Sequence, residues 1–251
     1  MSAQINAPNS PVPSVGIKLR GATLRFGDKP VFRDLDLDMP PGETTCLLGP
    51  SGVGKSSLLR LIAGIAPEAS AQRLEASDGG PIAGRIAYMD QRDLLLPWLS
   101  VLDNVTLGAR LRGGAVDHHR AMSLLERVGL ESESKSLPAS LSGGMRQRVA
   151  LARTLMEDRA IVLMDEPFSS VDALTRLHLQ DLAAELLAAR TILLVTHDPM
   201  EALRLGHRIL VMGGDPVGFV SVLEPQGAPP RPADDIALHG QAARILRDLA
   251  G

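Results

Sequence analysis

The chain has 251 residues, 45% hydrophobic and 22% charged, with a formal net charge of −3. That length and balance suit one globular domain with room for an inserted subdomain, and without a basic excess there is no electrostatic footprint for nucleic acid. Cys46 is the single cysteine, which excludes an intrachain disulfide, and no apolar run approaches the roughly 20 residues of a bilayer-spanning helix, so a soluble chain is expected and any membrane role comes through a partner.

Residues 1–14 are polar and proline-dotted and read as a flexible tail without a signal-peptide core. Apolar residues alternate over 17–26 (Ile17, Leu19, Leu24, Phe26) and over 31–39 (Leu35, Leu37, Met39), with Gly27-Asp28-Lys29-Pro30 between them. This pattern predicts two antiparallel strands joined by a turn. The apolar run 44–48 leads through a glycine-rich loop into a helix over 55–65 that carries Leu58, Leu59, Leu61, Ile62 and Ile65. Residues 66–84, rich in Ala, Ser, Gly and Pro, read as irregular, and 85–89 as a strand.

Ser100 and Asp103 resemble a capping box that opens a helix to about residue 111. A second helix spans about 117–128 and ends at Gly129, and Ser142 caps a third that runs to about 156. Residues of about 92–144 are therefore expected to form an inserted helical subdomain. Continuous apolar runs at 161–164 and 192–195 predict strands of a parallel sheet covered on both faces. A helix marked by Leu179, Leu182 and Leu186 lies between them. A proline-rich break over 224–232 precedes a last helix, about 235–250, with Leu238, Ala242, Ile245 and Leu249 on one face.

The run Gly49-Pro50-Ser51-Gly52-Val53-Gly54-Lys55-Ser56, followed by Ser57, fits the phosphate-binding pattern G-x-x-x-x-G-K-[ST]. Its glycines let backbone N–H groups approach a polyphosphate, Lys55 reaches the β/γ-phosphates, and the Ser56 hydroxyl holds Mg²⁺. Phosphoryl transfer also needs metal support and an oriented water. Asp165 and Glu166 follow the strand 161–164 at the edge where α/β sheets bind ligands. Asp165 suits Mg²⁺ support and Glu166 the base or polariser of the attacking water. Without the phosphate loop, two such acids would read as a solvated turn. In Leu141-Ser142-Gly143-Gly144-Met145 a serine cap and two glycines sit at a helix N-terminus, an anion site most useful against a nucleotide held by another copy. A plain capped helix is the alternative.

Together with Gln91 in Tyr88-Met89-Asp90-Gln91, Ser169-Ser170-Val171-Asp172, and His197 in Val195-Thr196-His197-Asp198, these segments resemble the motifs of ABC (ATP-binding cassette) ATPases over residues 15–223. The resemblance implies an α/β P-loop NTPase (RecA-like) core with an antiparallel β subdomain and an inserted α-helical subdomain, all within 15–251. It implies two copies closing head-to-tail on two ATP molecules. Phe26, Lys55, Ser56, Gln91, Asp165, Glu166 and His197 of one copy would face Ser142, Gly143 and Gly144 of the other. Gln91 would touch Mg²⁺ and water while its loop senses the membrane subunit, and His197 would contact the γ-phosphate. Phe26 either stacks on adenine or packs against its hairpin. Asp90 departs from the family, which commonly has an apolar or aromatic residue there.

One cassette, no cysteine pair and about fifty residues between Gln91 and Leu141 differ from the repair, chromosome and translation members. The run 165–172 resembles bacterial importers, and 95–105 (Leu95-Leu96-Pro97-Trp98) with Met145 resembles importers of nitrate, sulfonate, taurine and thiamine pyrimidine precursors. The implied protein is an ATP-hydrolysing subunit, peripheral on the cytoplasmic face of the bacterial inner membrane. Its partners would be a second copy of itself, an integral membrane permease and, indirectly, a periplasmic solute-binding protein, with no nucleic acid. A non-transport ABC ATPase and an exporter ATPase stay open as alternatives.

Overall fold

The alternating apolar residues near the start of the chain form one face of a small antiparallel sheet. The computed structural model describes residues 13–26 and 29–250, leaving aside the side chains of Phe26, Lys29 and Ala250. Most of the expected tail, and the turn residues Gly27 and Asp28, therefore lie outside the described residues. Strands β1 (Ile17–Phe26) and β2 (Lys29–Met39) pair from Ile17↔Met39 to Phe26↔Lys29, with register shifts between Leu19 and Arg25. Those shifts let Ile17, Leu19, Ala22 and Leu24 all turn inward despite their uneven spacing.

β3 (Thr44–Leu48) delivers the chain to the glycine loop and α1 (Lys55–Ala63). Gly64, at φ 75, caps α1, so the helix is shorter than the apolar pattern predicts. The stretch 66–84 is not wholly irregular. It contains β4 (Ala69–Ser70) and β5 (Arg73–Ala76), both antiparallel to β1, with Leu24↔Ala69 and Ile17↔Ala76 in register. Neither strand has a period-two signal of its own. The free edge of β1 creates them by supplying hydrogen-bond partners, a tertiary effect that local composition does not encode.

After β6 (Ile86–Met89), the single helix expected to residue 111 is two, α2 (Val101–Val105) and α3 (Leu107–Leu111). Thr106 divides them, its hydroxyl donating back to Leu102 O at 3.0 Å. α4 (His118–Arg127) is capped by Asp117, and α5 (Gly143–Met156) follows its expected cap, Ser142. Then come β7 (Ile161–Asp165), α6 (Ala173–Leu186), β8 (Thr191–Val195), α7 (Pro199–Leu205), the hairpin β9 (Arg208–Gly213) and β10 (Gly218–Leu223), and α8 (Ile236–Ala250).

The main sheet has the order β10-β9-β3-β8-β7-β6, parallel throughout except for the edge strand β10. Side chains alternate across it, so each inner strand feeds two cores. Val162, Met164 and Leu194 join the core beneath α2, α4, α5, α6, α7 and α8, whereas Leu163, Leu193 and Val195 join the one beneath α1 and the antiparallel sheet. Burial on both faces explains the unbroken apolar runs of β7 and β8. No helix among the described residues is long and apolar enough to cross a membrane.

The C-terminal helix is held by one side chain that composition does not advertise. Arg231, 3% exposed, donates to five backbone carbonyls: Gln226, Leu203, Gly206, Pro225 and Gly227, at 2.7–2.8 Å. It thereby fastens the proline-rich connector to the end of α7, while Leu238, Ala242 and Ile245 of α8 pack into the core. Arg231→Met would strand those carbonyls in a dry environment and should lower stability by about 3 kcal/mol or more. Urea unfolding of the two proteins measures this, and a difference below about 1 kcal/mol would show that the carbonyl cage is not stabilising.

Candidate active site

Strand register brings the expected chemistry to one edge. Leu47 pairs with Val195, Val195 with Asp165, and Met164 with Met89. The chain therefore leaves β3 at Gly49, β8 at His197, β7 at Glu166 and β6 at Gln91 on neighbouring parallel strands, about 4.8 Å apart. All four exits are carboxyl ends, where open α/β sheets take ligands.

The glycine loop is shaped by close approach. A side chain at Gly49 would place its Cβ 2.7 Å from Met212 O, and one at Gly54 would sit 3.1 Å from the Phe32 ring. Gly54 also adopts φ 107 as the N-cap of α1, a conformation that side chains rarely tolerate. With no side chain capping this end, the first-turn N–H groups face the loop, as an anion cradle requires. Lys55 curls over the loop, its Nζ donating to Gly49 O at 2.8 Å and to Pro50 O at 3.0 Å. Burial pushes the Lys55 ammonium below its ordinary pKa, opposed by the carboxylates of Glu166 and Asp165.

Asp165 closes β7 at 1% exposure, and neither of its carboxylate oxygens has a hydrogen-bond partner. Burial raises its pKa; the nearby Ser56 hydroxyl opposes this, Asp90 and Glu166 add to it, and Arg60 also opposes it. Ser56 thus stands close enough to act on the carboxylate without satisfying it. A buried carboxylate and a hydroxyl beside a phosphate cradle form the donor set that Mg²⁺ uses, one or two protein oxygens completed by phosphate. Among the described residues there is no group of three or more His, Cys, Asp and Glu that could form an all-protein cage.

Glu166 follows at φ 51, a left-handed conformation that costs a non-glycine residue of order 1–3 kcal/mol. Its N–H donates to Val195 O at 2.9 Å, and its carbonyl accepts from Ser169 N–H at 3.3 Å and the Ser169 hydroxyl at 3.1 Å. Its side-chain Oε2 bonds His197 Nδ1. Gln147 completes this frame. It is buried in α5, and its Nε2 donates to Glu166 O at 3.4 Å and Pro167 O at 3.2 Å. Sequence reasoning passed over Gln147, although an amide among the apolar residues of α5 was a signal for a buried polar contact.

The remaining site residues lie elsewhere. Ser142 caps α5, its hydroxyl accepting from Met145 N–H at 3.2 Å, and both Ser142 and Gly143 are exposed. A Cβ at Gly144 would meet Ser170 O at 3.0 Å, so the glycine permits the 169–172 segment to pack closely. Gln91 is exposed and shares a groove of about 440 Å³ with Asp93, Gly143, Arg146 and Ser170. Among the described residues no hydrogen bond joins the Ser142 cap to the phosphate loop of the same chain. Phe26 ends β1, with its side chain outside the described set.

A family model described as "ABC transporter" matches residues 32–169. The chain belongs to the ABC transporter family. Over 240 residues it is 42% identical to an uncharacterized ABC transporter ATP-binding protein of Haemophilus influenzae, covering 94% of this chain and 99% of that protein. It is 44% identical over 238 residues to the aliphatic sulfonates import ATP-binding protein SsuB 1 of Rhodococcus jostii, covering 94% of each. The dimeric structure of MJ0796, a bacterial ABC transporter cassette, superposes with a TM-score of 0.73 at 28% identity, over 84% of this chain and 100% of that one. A post-hydrolysis dimer of the same cassette, bound to ADP and Pi, gives 0.72. The fold is that of the ABC ATPases.

Behind His197 this cassette buries a further acid. Asp198 caps α7, accepting from Met200 N–H at 2.9 Å, and Glu201 in that helix accepts from Gln180 Nε2 at 3.1 Å. Burial pushes Glu201 from its ordinary 4.5 up to about 7, opposed by Thr196, reinforced by Asp198 and opposed by Gln180. Between those values the folded chain holds more protons than the unfolded one, so this group's contribution to stability falls as pH rises from about 4.5 to about 7. Glu201→Gln removes the titration. Its stability relative to the parent should rise by about 2–3 kcal/mol between pH 5 and 8 in urea titrations, and parallel profiles would refute the shift.

Proposed function

We propose that this chain is the ATP-binding and hydrolysing subunit of an importer for a small solute, working as a head-to-tail dimer under a membrane permease. The observation that carries the reading is the unpartnered, buried carboxylate of Asp165 beside Ser56, at the mouth of a loop whose amides and lysine suit a triphosphate. Phe26 would stack on adenine, the backbone of 49–57 would surround the phosphates, and Lys55 would turn from the loop carbonyls to the β/γ-phosphates. Asp165, Ser56 and Gln91 would hold Mg²⁺, which when bound neutralises charge on the transferring phosphoryl group.

Glu166 would take the proton of the attacking water. Its strained backbone and the Ser169, Gln147 and His197 contacts aim the carboxylate, so little reorganisation is needed when charge develops. His197, held at Nδ1 by Glu166, keeps its other ring nitrogen for the γ-phosphate. The exposed Ser142 and Gly143, with the half-buried Gly144, supply free N–H groups at the start of α5, suited to the γ-phosphate on a second copy. Closure of the two copies would move the permease, and hydrolysis would reopen them.

Sulfonate-type relatives 40–44% identical over nearly the whole chain support an importer of aliphatic sulfonates or similar small anions, peripheral on the inner membrane with a solute receptor upstream. The Leu95-Leu96-Pro97-Trp98 run agrees, and Trp98 is 71% exposed. Replacing Glu166 with Gln should leave ATP binding intact while turnover falls about 10²–10⁴-fold, measured as phosphate release by the reconstituted complex. Undiminished turnover would exclude Glu166 as the base. Lys55→Ala should raise the ATP Kd by at least about tenfold in equilibrium dialysis, and an unchanged Kd would remove the phosphate-loop assignment.

A further inference from the structure

Asp90 stands out against the phosphate-loop machinery because it is buried, charged and placed beside the acid that the site leaves unpartnered. β6 and β7 run parallel in register, Ile86↔Ile161 to Met89↔Met164. The next step sets Asp90 alongside Asp165, one interstrand spacing of about 4.8 Å away. Matching positions of a parallel pair point to the same face. Met89 and Met164 share one core, and Tyr88 and Leu163 share the other, so alternation turns Asp90 and Asp165 toward the α1 side.

Contacts from α1 agree. Asp90 Oδ2 accepts from Tyr88 Oη–H at 3.0 Å and from the Arg60 guanidinium at 3.4 Å, and Oδ1 accepts from Arg92 N–H at 3.1 Å. Asp90 is 8% exposed, so these bonds fix its position. Burial keeps the Tyr88 phenol protonated as the donor, with its pKa raised to about 12. Two carboxylates thus lie side by side in a dry place, one fully engaged and the other with only the Ser56 hydroxyl near it. Their mutual repulsion, only partly offset by Arg60, is relieved when a cation settles at Asp165.

We infer that Asp90 is a positioning residue of the nucleotide site, held by Tyr88 and Arg60 one strand from Asp165, and that its charge strengthens capture of a divalent cation without ligating it. The inference rests on the assignment of Asp165 and Ser56 as the cation's holders. Arg60, on the same face, acts in the opposite sense and weakens that capture. The bond to Arg92 N–H also fixes the turn just beyond Gln91, so the same carboxylate orients the glutamine segment.

Mn²⁺ binding to the full chain in the presence of ADP, followed by electron paramagnetic resonance, tests this without catalysis. Asp90→Asn keeps an acceptor for Tyr88 but removes the charge. It should weaken Mn²⁺ binding about tenfold, about 1.4 kcal/mol, while ADP affinity in EDTA stays within about twofold. Arg60→Met should shift Mn²⁺ binding the other way, tightening it several-fold, a sign that mere loosening of the fold would not give. Unchanged Mn²⁺ affinity in Asp90→Asn, or weakening in Arg60→Met, overturns the inference. Should Asp90→Asn fail to fold, the sign of the Arg60→Met effect decides. Asp165→Asn separates the two levels: its losing Mn²⁺ while Asp90→Asn keeps it leaves the site assignment standing and the role of Asp90 refuted. A parent chain that binds no Mn²⁺ with ADP overturns both.

Discussion

A carboxylate sealed from water, with only the Ser56 hydroxyl close to it, is among the most costly groups a fold can carry, and this one carries it at Asp165. The surrounding architecture makes that cost useful. Strand order places Asp165 between the exits of β6 and β8, α1 brings Ser56 and Arg60 to it, and the glycine loop curves over the same edge. In the proposed function a bound cation would offset that cost. On one side β8 is buried along its whole length, and on the other β6 buries Ala87 and Met89, so the carboxylate sits in a packed setting.

Where residue type and period carry the information, the sequence could be read directly. The glycine spacing announced the loop, and the continuous runs at 161–164 and 192–195 announced strands covered on both faces. Ser100 and Ser142 each cap the helix expected of them. The acids Asp165 and Glu166 and the ring of His197 came to one edge because the strands that present them are parallel and in register.

What stayed hidden depends on partners distant in the chain. β4 and β5 exist because β1 offers an edge, not because Ala69-Ser70 or 73–76 favour extension. Thr106 splits a helix through a hydroxyl that competes for a carbonyl. The carbonyls that Arg231 and Gln147 grip come together only in the fold, which buries both side chains against them. Asp90 was visible as an oddity beside Gln91, but its meaning required the register of β6 against β7 and the reach of Arg60.

Gln147 ties the two ends of the proposed machinery together within one chain. Its amide grips the carbonyls of Glu166 and Pro167, while the helix that carries it begins at the Ser142 cap. In the proposed head-to-tail pair that cap would serve the neighbour's nucleotide, whereas the gripped turn would serve the protomer's own. If Glu166 activates water as proposed, a tilt of α5 forced by one triphosphate would be passed through Gln147 to the Glu166 turn of the other, and the two compartments would fire in conversation rather than alone.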